Sequence, residues 1–129
     1  MRSVTNAFGD ALREARRGWA EAGEATLNSG LVYRPGEPVL VRVRKRGQRY
    51  DIGDEARAAE LAGRPPGWLE VAERVVAEGG LNVNRRGVVF VSAVEGRDIG
   101  SLGMKVAEAS LAVHAALLEA ADAPQFSTK

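Results

Sequence analysis

From Val39 to Arg44, and again from Arg49 to Ile52, the chain follows a period of two that constrains the fold more than any other feature. Val39, Val41 and Val43 alternate with Leu40, Arg42 and Arg44. Successive side chains of a strand point to opposite faces, so one face is apolar and the other basic. Reading Arg46-Gly47 as a two-residue turn pairs Arg44 with Arg49, Val43 with Tyr50, Arg42 with Asp51 and Val41 with Ile52. The valines then share a face with Tyr50 and Ile52. A three-residue turn would place Arg49 beside Val43 and mix the faces, so the pattern selects the two-residue register. A sheet with one apolar face needs a covering layer, and the flanking sequence supplies helices for it.

Upstream, Val4, Phe8, Leu12, Ala15, Trp19 and Ala22 recur at helical spacing and predict a helix over residues 3–23. Asn28-Ser29-Gly30 reads as a break, followed by a short strand from Leu31 to Arg34. Pro35-Gly36 suits the two central positions of a type II turn. Downstream, Gly53 ends the strand and Asp54 is placed to cap a helix running to about Ala62. Pro65-Pro66 breaks it, and a second helix over roughly 67–78 stops at Gly79-Gly80.

Residues 81–94 predict a second hairpin. Its three-residue loop, Arg85-Arg86-Gly87, aligns Leu81 and Val83 with Val89 and Val91. The apolar run after the loop reads as a central strand covered on both faces. A last helix spans about 100–121, capped by Asp98 or Ser101, with a main stripe of Leu102, Val106, Ala109, Val113, Leu117 and Ala120. A second apolar stripe, Met104, Leu111, Ala115 and Leu118, lies on another side. It asks for a second covering layer; the first helix, through Phe8, Leu12 and Trp19, could supply it within the chain, but that stripe has its own surface to bury, so a homodimer is expected. The expected architecture is one α+β domain over residues 1–121, in the order α-β-β-β-α(α)-β-β-α. It has an antiparallel sheet of about five strands with helices packed on it, and a frayed tail over 122–129. The segments DIGDEARAAELA and DIGSLGMKVAEASLA echo each other, because a glycine corner and a short polar cap open both helices.

Charge and composition limit the function classes. The 18 basic residues nearly balance the 17 acidic ones, so any electrostatic partner must be met by a local patch. Arginines outnumber lysines 15 to 3, a skew that reads as base composition rather than phosphate binding. With no cysteine, disulfides, thiolate metal sites and cysteine nucleophiles are excluded. The opening MRSVTNAFGD lacks a signal-peptide core and no apolar run approaches membrane-spanning length. A cytoplasmic bacterial protein with no membrane partner is expected.

The best charged feature is the basic face of the first hairpin. Arg44 opposite Arg49 would repel, and an anion between them would relieve the repulsion. Lys45 and Arg46 extend the patch, Arg42 starts it, and Arg85 and Arg86 decorate the other turn. With both turns at one end, these seven residues would line an anion- or nucleic-acid-binding groove. The plainer reading is a solvated face with Arg42 paired to Asp51, since no aromatic residue alternates with the arginines as a stacking platform. His114 is the only histidine, so a metal site lacks partners and none is expected. Ser110 lies one turn away, but no carboxylate on that face orients a Ser-His pair. Asp51, Asp54 and Glu55 crowd the hairpin exit, where pairing and capping explain them. No catalytic residue and no cofactor is assigned, and an uncharacterised enzyme is the third reading.

The element order is similar to that of the type III secretion chaperone-like fold, which implies a small homodimeric protein that binds other proteins. The segment RGQRYDIGDEARAAELA resembles the strand–Asp–Gly–helix segment of a bacterial family known only as a domain of unknown function. Neither resemblance carries a catalytic residue. The function expected is a non-catalytic binding or adapter protein, a chaperone-like homodimer. The alternative is an anion- or nucleic-acid-binding module built on hairpin 41–50.

Overall fold

The computed structural model describes residues 23–122, so the predicted first helix, up to Gly23, and the tail beyond Asp122 lie outside the described residues. Strands β1 (Glu24–Val32), β2 (Pro38–Arg46), β3 (Arg49–Gly53), β4 (Asn82–Val83) and β5 (Val89–Val94) form one antiparallel sheet in the order β1-β2-β3-β5-β4. Helices α1 (Arg57–Ala62), α2 (Trp68–Glu78) and α3 (Ile99–Asp122) complete the α+β domain. The core lies between one sheet face and α3, where Val39, Val41, Val43, Ile52 and Val89 meet Val106, Val113 and Leu117.

The first hairpin keeps its predicted faces but not its register. Arg46 pairs with Arg49, Lys45 with Tyr50, Arg44 with Asp51, Val43 with Ile52 and Arg42 with Gly53. The two-residue turn is Gly47-Gln48, with Gly47 at φ +62° in the first central position, where a type II′ turn takes glycine. Moving the turn by one residue shifts each partner by two, an even number, so no side chain changes face. Val41, Val43 and Ile52 are buried, Tyr50 and Arg42 are half-buried, and Arg44 and Arg49 are exposed.

Three local readings give way to hydrogen-bond geometry. Asn28–Gly30 is not a break but part of β1, which slips register between Asn28 and Val32. There the buried Ser29 hydroxyl donates to the Val39 carbonyl at 2.7 Å and accepts from the Leu31 amide at 3.1 Å, replacing ladder bonds that the bulge removes. In the β1–β2 turn the Gly36 amide donates to the Tyr33 carbonyl, which puts Arg34 and Pro35 at the centre and Gly36 after them. Asp54 does not cap α1: the residue before the helix is Ala56, at φ +63°, and no side chain caps it.

The second hairpin forms with the predicted loop and pairing, Val83 opposite Val89 and Asn82 opposite Phe90. Gly87 sits at φ +97°, and a Cβ there would stand 2.8 Å from the Ala59 Cβ, so glycine lets the loop pack under α1. The strand after the loop is interior to the sheet, but it is not covered on both faces: Phe90 is half-buried and Ser92 exposed. The buried arc of α3 is Ile99, Gly103, Val106, Ala107, Ser110, Val113, His114 and Leu117. It is rotated from the predicted stripe, leaving Leu102, Ala109 and Ala120 half-buried. Of the second stripe, Met104, Leu111 and Leu118 are half-buried and Ala115 is exposed. This helix is long and apolar enough to cross a membrane by length and composition, and here its buried arc lies on the sheet.

Candidate binding site on the open sheet face

Opposite α3, no helix of the described residues covers the sheet. Cross-strand pairing sets one row there that runs through all five strands: Thr26, Arg42, Gly53, Phe90 and Asn82. The next row brings Glu24, Arg44 and Asp51 together. A groove of about 250 Å³ opens over these rows. Its walls include Arg42, Arg44, Arg46 and Arg86, its floor Ile52, Gly53, Val88 and Phe90, and Asp51 and Glu55 also line it.

The seven basic residues predicted to share a site divide. Arg42, Arg44, Arg46 and Arg86 line the groove; Lys45, Arg49 and Arg85 do not. Lys45 has core-face parity, but it is exposed near the hairpin's end. The two hairpin turns lie at opposite ends of the sheet, because the end of β3 far from Gly47-Gln48 pairs with Phe90, just past the Arg85–Gly87 loop. Arg86 alone among the residues of that loop reaches the groove.

The predicted repulsion also moves. Arg44 faces Asp51, and the opposed like charges are Arg46 and Arg49. Arg46 turns to Asp51 at 3.1 Å and Arg49 to Glu95 at 3.0 Å, so two carboxylates relieve the pair and no anion is needed there. Arg42 pairs not with Asp51 but with Glu24 at 2.7 Å and Glu55 at 3.5 Å. Arg44 has only a 3.7 Å contact to Glu24. Among the described residues Arg86 has no carboxylate partner; its carbonyl accepts from Arg64. The exposed contacts of Arg44, Arg46 and Arg49 contribute little, about 0–1 kcal/mol each, and an anionic ligand can compete for those guanidinium groups.

Phe90 and Gly53 escaped the sequence reading. The arginines come from β2 and the phenyl ring from β5, brought across β3 by pairing, so no local window holds both. The parity of Val88, Phe90 and Ser92 was the available signal. It reads as a covered strand only while the second face is taken to be buried.

A second polar cluster lies inside the core. The Ser110 hydroxyl donates to Asp54 Oδ2 at 2.6 Å, and the Tyr33 hydroxyl lies 2.7 Å from Ser110 Oγ. With Asp54 ionised, the serine's one proton goes to the carboxylate, so Tyr33 donates to Ser110. Asp54 Oδ1 accepts from the amides of Ala56 at 2.9 Å and Val89 at 2.8 Å. His114 packs edge-on to the Tyr33 ring, with centroids 5.2 Å apart. Thus a carboxylate does orient Ser110, from another element rather than the same helix face. All four side chains are at most 2% exposed, which closes Ser110 to a substrate. Burial pushes the Asp54 carboxyl up and the Tyr33 phenol up to about 12; burial, helped by Arg34, lowers His114. Nearby, Arg57 forks onto Glu37 and reaches Glu60, holding the Glu37 carboxyl below its usual range. Among the described residues, no three histidine, cysteine or carboxylate side chains gather as a metal ion would require.

No protein-family model, no curated protein and no solved structure matches the chain.

Proposed function

We propose that this is a small non-catalytic binding or adapter protein of the cytoplasm, a chaperone-like homodimer whose contact surface is the open face of its sheet. The observation that carries the reading is the groove, where four arginines stand around a floor of Gly53, Val88 and Phe90. These arginines are partly or largely solvated and so open to a ligand, with Arg44 and Arg46 side chains 56% and 78% exposed. A concave, cation-rimmed, partly apolar surface suits recognition of an anionic partner. The buried Asp54–Ser110–Tyr33 cluster supports a structural role, since a nucleophile sealed from solvent meets no substrate.

An NMR titration tests this. Amide spectra are recorded with an acidic peptide, a sulfated polysaccharide and an oligonucleotide in turn. At least one probe is expected to shift the amides of Arg44, Gly53 and Phe90 while sparing α3. If none of the three moves these amides, the open face is not a contact surface for anions and the reading fails.

A further inference from the structure

We infer that the groove binds single-stranded nucleic acid, with a base laid on the apolar floor of Val88 and Phe90 and the phosphates on Arg42, Arg44, Arg46 and Arg86. This rests on the reading of the open face as the contact surface.

The row Arg42–Gly53–Phe90 carries the argument. Neighbouring strands lie about 4.8 Å apart, so Arg42 and Phe90 stand roughly 10 Å apart, with Gly53 between them carrying no side chain of its own. Gly53 lets the neighbouring strand close in: a Cβ there would stand 3.1 Å from Val88 Cγ1 and 3.6 Å from Phe90 Cβ, so the glycine leaves room for Val88 to lean over it, and Val88 and Phe90 together form the apolar floor. Phe90 offers a half-buried phenyl ring to this groove, and aromatic rings stack on bases whatever their identity.

The cations are placed to follow a chain rather than a point charge. Arg42, Arg44 and Arg46 recur at every second residue of β2, so they step along one face about 6.7 Å at a time. That step is comparable to the spacing of successive phosphates in an extended strand. Arg86 faces them from the β4–β5 loop. Asp51 and Glu55 in the lining and Glu24 beside it set three carboxylates against four guanidinium groups, which leaves the groove cationic by one charge.

Shape decides between candidate polyanions. The groove, about 250 Å³, has room on the order of one nucleotide, and no described helix or ribbon projects from this face to enter a duplex groove. An acidic peptide would satisfy the guanidinium groups but leave the phenyl face unused.

Fluorescence anisotropy with 5′-labelled eight-nucleotide RNA and DNA single strands tests the assignment. A duplex of the same sequence, a free nucleoside monophosphate and an oligoglutamate peptide serve as comparison arms, all across a salt series. The single strands are expected to bind at least tenfold more tightly than the duplex or the peptide. The monophosphate should be weaker still, because it meets fewer arginines. Phe90→Leu should weaken single-strand binding roughly tenfold or more while leaving the salt dependence unchanged, because it removes stacking and no charge. Arg44→Gln and Arg86→Gln, both remote from the core, should each flatten the logarithmic salt slope by about 0.7.

Single strands that fail to bind overturn the assignment, as does an affinity that Phe90→Leu leaves unchanged in a variant with a native amide spectrum. A peptide that binds as tightly as the strands, through Arg44 and Arg86 but not Phe90, also overturns it, while the open face stands as a contact surface. If no anion shifts the Arg44, Gly53 and Phe90 amides, both readings fall together.

Discussion

Asp54 shows how much one buried side chain can be asked to hold. Its carboxylate ties the end of β3 to the first residue of β5 and to α3, through Ala56, Val89 and Ser110. Those bonds favour the anion, but burial outweighs them and the carboxyl is raised. The folded chain then holds this proton more tightly than the unfolded one, so stability from this group is full below the ordinary carboxylate value and declines as pH rises through the folded one. His114 acts in the opposite sense: lowered in the fold, it costs stability as pH falls through its ordinary value near 6.5. Asp54→Asn keeps the Oδ1 acceptor and removes the titration. The stability of the wild type minus that of Asp54→Asn, from urea unfolding between about pH 4 and 7, is therefore expected to decline with pH. A flat difference would mean the carboxyl titrates as in the unfolded chain. Asp54→Ala instead strands two buried amides, at about 1–3 kcal/mol each. Tyr33 sets the alkaline limit: with its phenol raised from 10.0 to about 12, its contribution is intact below pH 10 and lost by about 12. Tyr33→Phe should remove this limb of the stability curve, read by circular dichroism, and lower neutral-pH stability by about 1 kcal/mol.

At the scale of elements, glycine placement decides hairpin geometry. Gly47 at the first central position sets the register of β2 and β3, and hence which arginine meets Asp51. Gly87 couples the β4–β5 loop to two helices, because a Cβ there would press on Ala59 Cβ at 2.8 Å and Trp68 Cζ3 at 3.0 Å. Gly87→Ala adds a left-handed backbone cost to that overlap and should destabilise the fold by about 2–4 kcal/mol in urea unfolding. A loss below about 1 kcal/mol would show that the loop moves aside freely. Gly47→Ala meets no neighbour within 4 Å, so only the backbone penalty of about 1 kcal/mol is expected.

At the scale of the whole molecule, α3 keeps apolar surface that the described residues do not bury. Its inner arc lies on the sheet, while Met104, Leu111 and Leu118 keep part of their surface in solvent and Ala115 is exposed. Leaving apolar area in water costs about 25 cal/mol per Å², and symmetric pairing of two copies is the common way to cover it. Sedimentation equilibrium at micromolar concentration is expected to give twice 13.7 kDa. Leu111→Glu should halve that mass without loss of helical signal. A wild-type mass of 13.7 kDa at every concentration would rule the pair out, and unfolding by Leu111→Glu would then place Leu111 in the monomer core.

The division between sequence and tertiary structure follows the range of each interaction. The alternation of Val39, Val41 and Val43 with Arg42 and Arg44 determined the strand, its two faces and the layer that one face needs, because side-chain parity is local. Arg85-Arg86-Gly87 likewise determined its own loop, since positive φ selects glycine within a few residues. Turn chemistry alone left the first register two residues out, and the spacing of Asp54 before a helix suggested a cap that the fold does not use. Sheet order decided the rest. By setting β5 beside β3, it brought Phe90 to Arg42 across Gly53, and by laying α3 on the sheet it brought Ser110 to Asp54, 56 residues away in the chain. Contacts across such separations depend on which strands pair and which helix face is buried, and those are settled by packing the whole chain at once rather than by any segment of it.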